Sequence, residues 1–190
     1  MKTLAQAFAR FVQPHWQRLH FVARRYMARE HDAQDLVQET LLRAWRNFAP
    51  TQESSYRRAW LFVIMRNVAS EWRRTGQRRI RLAPDTGSDL TEVVAGDASA
   101  PLSPLPAMGE HEFREFLDDR VAAALDGLDA SFREVIVLSV AGGLSYREIA
   151  EVLDCPLGTV MSRMGRARRT LRERLADYAR TQGFVAEQQP

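Results

Sequence analysis

The chain has 190 residues, 45% of them hydrophobic and 27% charged, with a formal net charge of +3 and a pI near 9.5. That hydrophobic share supports a globular core, and no apolar run approaches the roughly 20 residues that span a bilayer. A single cysteine excludes an internal disulfide, and the opening MKTLAQAFARFVQPHW interrupts its apolar stretch with Arg and Gln, so the chain is expected in a reducing, cytoplasmic compartment.

The first helix is expected from about Leu4 to Arg29, with a bend at Pro14. Asp32 reads as the cap of a second helix, about Ala33 to Phe48, with Asp35 in its first turn where the helix dipole favours negative charge. On that helix Leu36, Val37, Thr40, Leu41, Ala44 and Phe48 share a broad face expected to be buried. The opposite face carries Asp35, Gln38, Glu39, Leu42 and Arg46. A leucine inside a polar rim points to a protein-docking site with Leu42 as its anchor; a solvated face with one stray leucine is the plainer alternative.

A third helix is expected over Tyr56–Arg74, after a loop Asn47–Ser55. Trp60, Leu61, Val63, Ile64, Met65, Val68 and Trp72 make it apolar nearly all round, the pattern of a core helix. Arg66, Ser70 and Arg73 form a narrow polar strip, continued by Arg74, Arg78, Arg79 and Arg81. Such a strip can track a phosphate backbone. The aromatics beside it can stack on unpaired bases, although at helical spacing they more often fill a core.

The segment Ala83–Glu110 breaks the helical pattern. It is rich in Pro, Gly, Ser and Ala, and Asp85–Glu112 contains acids but neither Lys nor Arg. It reads as a flexible acidic linker between two helical domains, because so long a loop within one compact domain is unusual. Helices follow at about Glu112–Leu125 and Phe132–Ala141; Ser131 and Glu134 have the spacing of a capping box, and Gly142-Gly143 is a helix stop. The fold class is therefore all-α, in two small bundles.

LSYREIAEVLDCPLGTVMSRMGRARRTL, Leu144–Leu171, reads as helix, tight turn and helix. Ser145 and Glu148 form a second capping box, and Asp154-Cys155-Pro156 ends the first helix. In the second helix Val160, Met164, Ala167 and Leu171 mark a buried face, while Ser162, Gly165, Arg166 and Arg169 project oppositely. Two short helices with a basic outward face match the geometry of major-groove reading, the alternative being a hairpin with a solvated basic face. Nearly all the positive charge is arginine, suited to bidentate contacts with phosphate and guanine.

Enzyme signatures are lacking. His15, His20, His31 and His111 form no metal-ligand spacing with Cys155, and there is no phosphate-binding loop or nucleophile elbow. No catalytic residue, metal or cofactor is expected, and Cys155 reads as a small buried hydrophobe at the turn.

Taken together, these motifs resemble the extracytoplasmic-function (group IV) sigma factors of the sigma-70 family. DAQDLVQETLLRAW at Asp32–Trp45 resembles the core-polymerase-binding helix of region 2, and AWLFVIMRNVASEWRR at Ala59–Arg74 its −10 recognition and melting helix. LDGLDASFREVIVLSVAGGLSYREIAEVLDCPLGTVMSRMGRARRTL at Leu125–Leu171 resembles region 4. The resemblance implies region 2 over residues 1–82, the linker over 83–111, region 4 over 112–180 and a disordered tail over 181–190. Asp35, Gln38, Glu39, Leu42 and Arg46 would dock on the clamp helices of core RNA polymerase, with region 4 on its flap. Asn47, Arg66, Ser70, Arg73, Arg74, Arg78 and Arg79 would hold the −10 element as single strand. Thr159, Met161, Ser162, Arg163, Gly165, Arg166 and Arg169 would face the −35 duplex, Ser162 and Arg166 at the bases and Arg163 and Arg169 on phosphates.

Promoter DNA, core polymerase and an anti-sigma factor are the partners so implied. Met161 stands where the family usually has Lys or Arg, and Gly165 where a larger side chain is common, so −35 readout should be altered. The competing reading is a helix-turn-helix transcription regulator with a helical sensing domain, which would need neither the docking face nor the melting helix.

Overall fold

Proline lacks the N–H that would continue a helix through residue 14, and the chain breaks there. The computed structural model describes residues 4–49, 54–76 and 119–182. Helix α1 spans Leu4–Val12, a 3-10 turn covers Gln13–His15, and α2 spans Trp16–Tyr26. The single bent helix expected from the sequence is thus two helices around Pro14.

Helix α3, Glu30–Arg46, starts before the expected Asp32 cap. Arg29 has extended backbone and its carbonyl accepts from the Ala33 N–H at 3.2 Å, so Arg29 holds the cap position. Asp32 lies in the first turn, buried, with a carboxylate oxygen 3.2 Å from His31 Nε2. Its charge still suits the positive end of the helix. Leu36, Val37, Thr40, Ala44 and Phe48 are buried as the spacing requires, and the Thr40 hydroxyl donates to the Leu36 carbonyl at 2.7 Å.

Helix α4, Ser54–Arg74, packs along α3. Its Leu61, Phe62, Met65, Val68 and Ala69 are fully buried, each large side chain contributing about 1.5–3 kcal/mol relative to exposure. Residues 77–118 lie outside the described residues. With them lie the linker, Arg78, Arg79 and Arg81, and most of the helix expected from Glu112.

The second bundle begins with α5, Asp119–Asp126, and α6, Ala130–Val140. The cap of α6 is Asp129, whose side chain accepts from the Ser131 N–H at 3.0 Å and the Ser131 hydroxyl at 2.8 Å. Ser131 and Glu134 therefore do not make the expected capping box. The nearer carboxylate takes the orphan N–H, and Glu134 turns inward. Gly143, at φ +66°, ends the chain's run from α6 as expected, in the left-handed region that glycine enters without penalty.

Helix α7, Tyr146–Leu153, has the capping box read from the sequence. The Ser145 hydroxyl accepts from the Glu148 N–H at 3.3 Å, and Glu148 Oε2 accepts from the Ser145 N–H at 2.8 Å. Asp154 takes a left-handed conformation, φ 50°, before α8, Leu157–Arg174. Val160, Met164 and Ala167 are all fully buried beneath it, and a short helix α9, Ala176–Thr181, follows. The buried side chains of both bundles form one contiguous apolar cluster, with α7 packed on α4 and α6 against α2.

Candidate nucleic-acid interface

Three surfaces follow from this arrangement. On α3 the Leu42 side chain stands 52% exposed, as the polar-face pattern requires, and Trp45 beside it is 39% exposed. Gln38 and Arg46 are exposed, while Asp35 and Glu39 are half-buried. Glu39 accepts from Arg43 Nε at 2.7 Å, and Arg43 Nη1 reaches Glu71 on α4 at 2.8 Å. That Glu39–Arg43–Glu71 chain fixes the face to the rest of the bundle. The guanidinium of Arg43 holds the Glu71 carboxyl below its ordinary range, and both acids push the Arg43 pKa up. Trp45 was missed by sequence reading. Its exposure depends on how α1 covers α3: Phe8 meets the Trp45 ring edge-on at 5.3 Å and leaves part of it open.

The polar strip of α4 is partly covered. Arg74 is exposed and Arg73 half-buried, but Ser70 is only 4% exposed. Arg66 Nε points at Glu134 Oε1 of α6, 3.3 Å away, and its side chain is 13% exposed. Trp72 packs partly against the core rather than standing free. Asn47 is exposed at the end of α3, its amide donating to the Arg43 carbonyl at 3.0 Å. The structure therefore brings Asn47, Arg73 and Arg74 towards the surface, while Arg66 is turned into the contact between the bundles and Ser70 is buried.

On α8 the outward residues are placed as the helical period demands. Met161 and Arg169 are exposed; Thr159, Ser162, Arg163, Gly165 and Arg166 are half-exposed. Ser162 donates its hydroxyl to the Thr159 carbonyl at 3.1 Å, which leaves its oxygen lone pairs as acceptors. A Cβ built on Gly165 or Gly158 meets nothing within 4 Å, so neither glycine is required by packing. Burial raises the Cys155 thiol pKa, against the opposing charges of Arg163 and Arg66, and the half-buried thiol sits at the turn of the motif. Among the described residues no group of three or more His, Cys, Asp or Glu side chains is placed to hold a metal ion.

The sigma-70 region 2 family model matches residues 11–79, and the sigma-70 region 4 model matches residues 118–171. The chain is 37% identical over 169 residues to the ECF RNA polymerase sigma factor SigE of Mycolicibacterium smegmatis, covering 88% of this chain but 61% of that protein's length. It is 39% identical over 140 residues to the sigma factor EcfG of Rhodopseudomonas palustris, covering 73% of this chain and 68% of that one. The chain belongs to the ECF sigma factors of the sigma-70 family.

A solved sigma factor, RpoE of Bartonella quintana in complex with the anti-sigma factor NepR, shares its fold at TM-score 0.55 and 28% identity, over 93% of this chain and 98% of that one. In sigma-factor terms α2–α4 lie in the region 2 match, which begins at the end of α1, and α5–α8 fall in the region 4 match as far as residue 171. The regulator reading is not favoured, because the N-terminal bundle itself matches a sigma region rather than a sensing domain. No helix of the described residues is long and apolar enough to cross a membrane.

Proposed function

We propose that this chain binds core RNA polymerase and directs promoter-specific initiation, region 2 taking the −10 element as single strand and region 4 reading the −35 element as duplex. The observation that carries the reading is Leu42, half-exposed in the acidic rim of α3, on the same bundle as the arginine-bearing α4. A chain that only read duplex DNA would need neither. Asp35, Gln38, Glu39, Leu42 and Arg46 are the docking set. Asn47, Ser70 and the arginines at 66, 73, 74, 78 and 79 are the −10 set. Thr159, Met161, Ser162, Arg163, Gly165, Arg166 and Arg169 are the −35 set.

The physical task is to lower the cost of strand opening at chosen sites. Extruding a base costs a few kcal/mol, offset by arginine contacts to the adjoining phosphates and by the polymerase itself. No covalent step is asked of the chain, and no cofactor enters. Residues 83–111 link the two readers, and their acidic composition suits passage along a basic nucleic-acid channel. A relative solved with an anti-sigma factor supports regulation of this chain by a partner of that class. Sequencing transcript 5′ ends after overexpression tests the reading. A set of induced transcripts sharing paired −35 and −10 sequences is expected; induced transcripts with no shared upstream pattern would refute it.

A further inference from the structure

Among the described residues the C-terminal bundle leaves two large apolar side chains in solvent, and both stand on α8. Leu157 and Met161 are each 42% exposed. Side chains four residues apart on a helix are neighbours, with about 5–6 Å between Cβ atoms, so the two form one patch. They are the first and fifth residues of α8. In a helix-turn-helix that end of the second helix faces the base edges.

The chemistry of this end differs from that of the rest of the helix. No charged side chain occurs from Leu157 to Ser162, and the first arginine is Arg163. Gly158 is exposed, and a Cβ there meets nothing within 4 Å, so the backbone beside the patch is open to close approach. The forked contacts by which Arg or Lys reads guanine O6 and N7 cannot come from these residues. Leu157 and Met161 offer a base pair apolar contact, and the apolar group on the major-groove edge is the C5-methyl of thymine.

The surroundings of the patch select its occupant. Beyond it α8 carries Arg163, Arg166, Arg168, Arg169, Arg172 and Arg174 against a single acid, Glu173. Such a field draws a polyanion. Leu42 is exposed to a similar degree on α3, but beside Asp35 and Glu39, a setting that fits a protein partner. We propose that Leu157 and Met161 form an apolar platform for thymine methyl groups, so that thymine under the first turns of α8 specifies part of the −35 element of this chain. The proposal rests on the −35 reading given above and adds the base that is read. Methionine in place of the Lys or Arg usual at that position then changes what is read rather than removing readout.

The test uses the full chain bound to core RNA polymerase. The complex selects duplexes randomised upstream of a mapped start, and each thymine of the selected element is then exchanged for deoxyuridine, which removes the methyl and keeps the pairing. Burial of one methyl corresponds to about a fourfold change in affinity. At one or two positions the uracil duplex should therefore bind wild type about fourfold more weakly. Met161→Ala and Leu157→Ala should each bind the thymine and uracil duplexes equally at the position its side chain covers. Both side chains are exposed, so the variants should keep the wild-type melting temperature. If an element is selected but every uracil duplex binds as tightly as its thymine parent, the methyl contact is overturned while −35 recognition stands. A thymine preference that survives in both variants would give the contact to other residues and overturn the proposal. Failure to select any upstream element would overturn the −35 reading itself. Weaker assembly of either variant with core polymerase, before DNA is added, would make the patch a protein contact and overturn the proposal as well.

Discussion

Replacing Leu42 with alanine separates docking from folding. Complete burial of a leucine side chain is worth about 1.5–3 kcal/mol. At 52% exposure roughly half of that remains to be gained when a partner covers it, or about 0.8–1.5 kcal/mol. With 1.4 kcal/mol per tenfold, Leu42→Ala should weaken binding to core RNA polymerase about four- to twelve-fold. A central position in a desolvated contact would raise the loss above 2 kcal/mol, as at interface hot spots. The fold should lose less than about 1 kcal/mol, because a surface truncation leaves no cavity. Leu36→Ala, on the buried face of the same helix, should cost about 2–5 kcal/mol of stability instead. Fluorescence anisotropy of labelled chain titrated with core enzyme, beside thermal unfolding, measures both. Affinity within twofold of wild type for Leu42→Ala, at unchanged melting temperature, would refute the docking role.

Gly165→Ala should raise the stability of the C-terminal bundle by up to about 1 kcal/mol, the helix-propensity difference, since its Cβ enters open space; thermal unfolding checks this, and a loss would show a contact the geometry does not contain. Arg166→Ala should relax −35 sequence preference in a binding competition by about 1–3 kcal/mol at the contacted base, whereas Arg169→Ala should weaken all duplexes alike. Burial raises the Glu134 pKa, against Arg66, Tyr26 and Arg163, with Cys155 also nearby. A raised carboxyl pKa means its stabilising share is full below the ordinary glutamate value, about 4.3, and is lost as pH rises through the folded value. Unfolding of wild type minus Glu134→Gln should therefore show a difference that falls as pH rises from that value; a flat or rising difference would contradict the sign.

What the sequence made legible was local. The Ser145–Glu148 box has both partners within one turn, and the Val160, Met164 and Ala167 face follows from 3.6 residues per turn alone. Leu42 was legible because a leucine among polar residues on a periodic helix is visible without a partner. Glu134 was misread for the converse reason. Its spacing from Ser131 mimics a capping box, while the residues that decide its place, Tyr26 and Arg66, lie 108 and 68 positions away. Ser70 was read as part of an open strip because helical period places it beside Arg66, and it does not say what packs there. The Asp32 cap failed more simply: the Arg29 carbonyl offers the first helical bond three residues earlier.

The docking face and both DNA sets meet in one reaction. Purified chain added to core RNA polymerase on a supercoiled template, with transcript starts mapped, tests the central claim most directly. The account predicts discrete starts, each preceded by the same spaced −35 and −10 elements, that appear only with the chain and fall away with Leu42→Ala. Duplex binding by the chain alone, with no promoter-specific starts from the combined proteins, would contradict it.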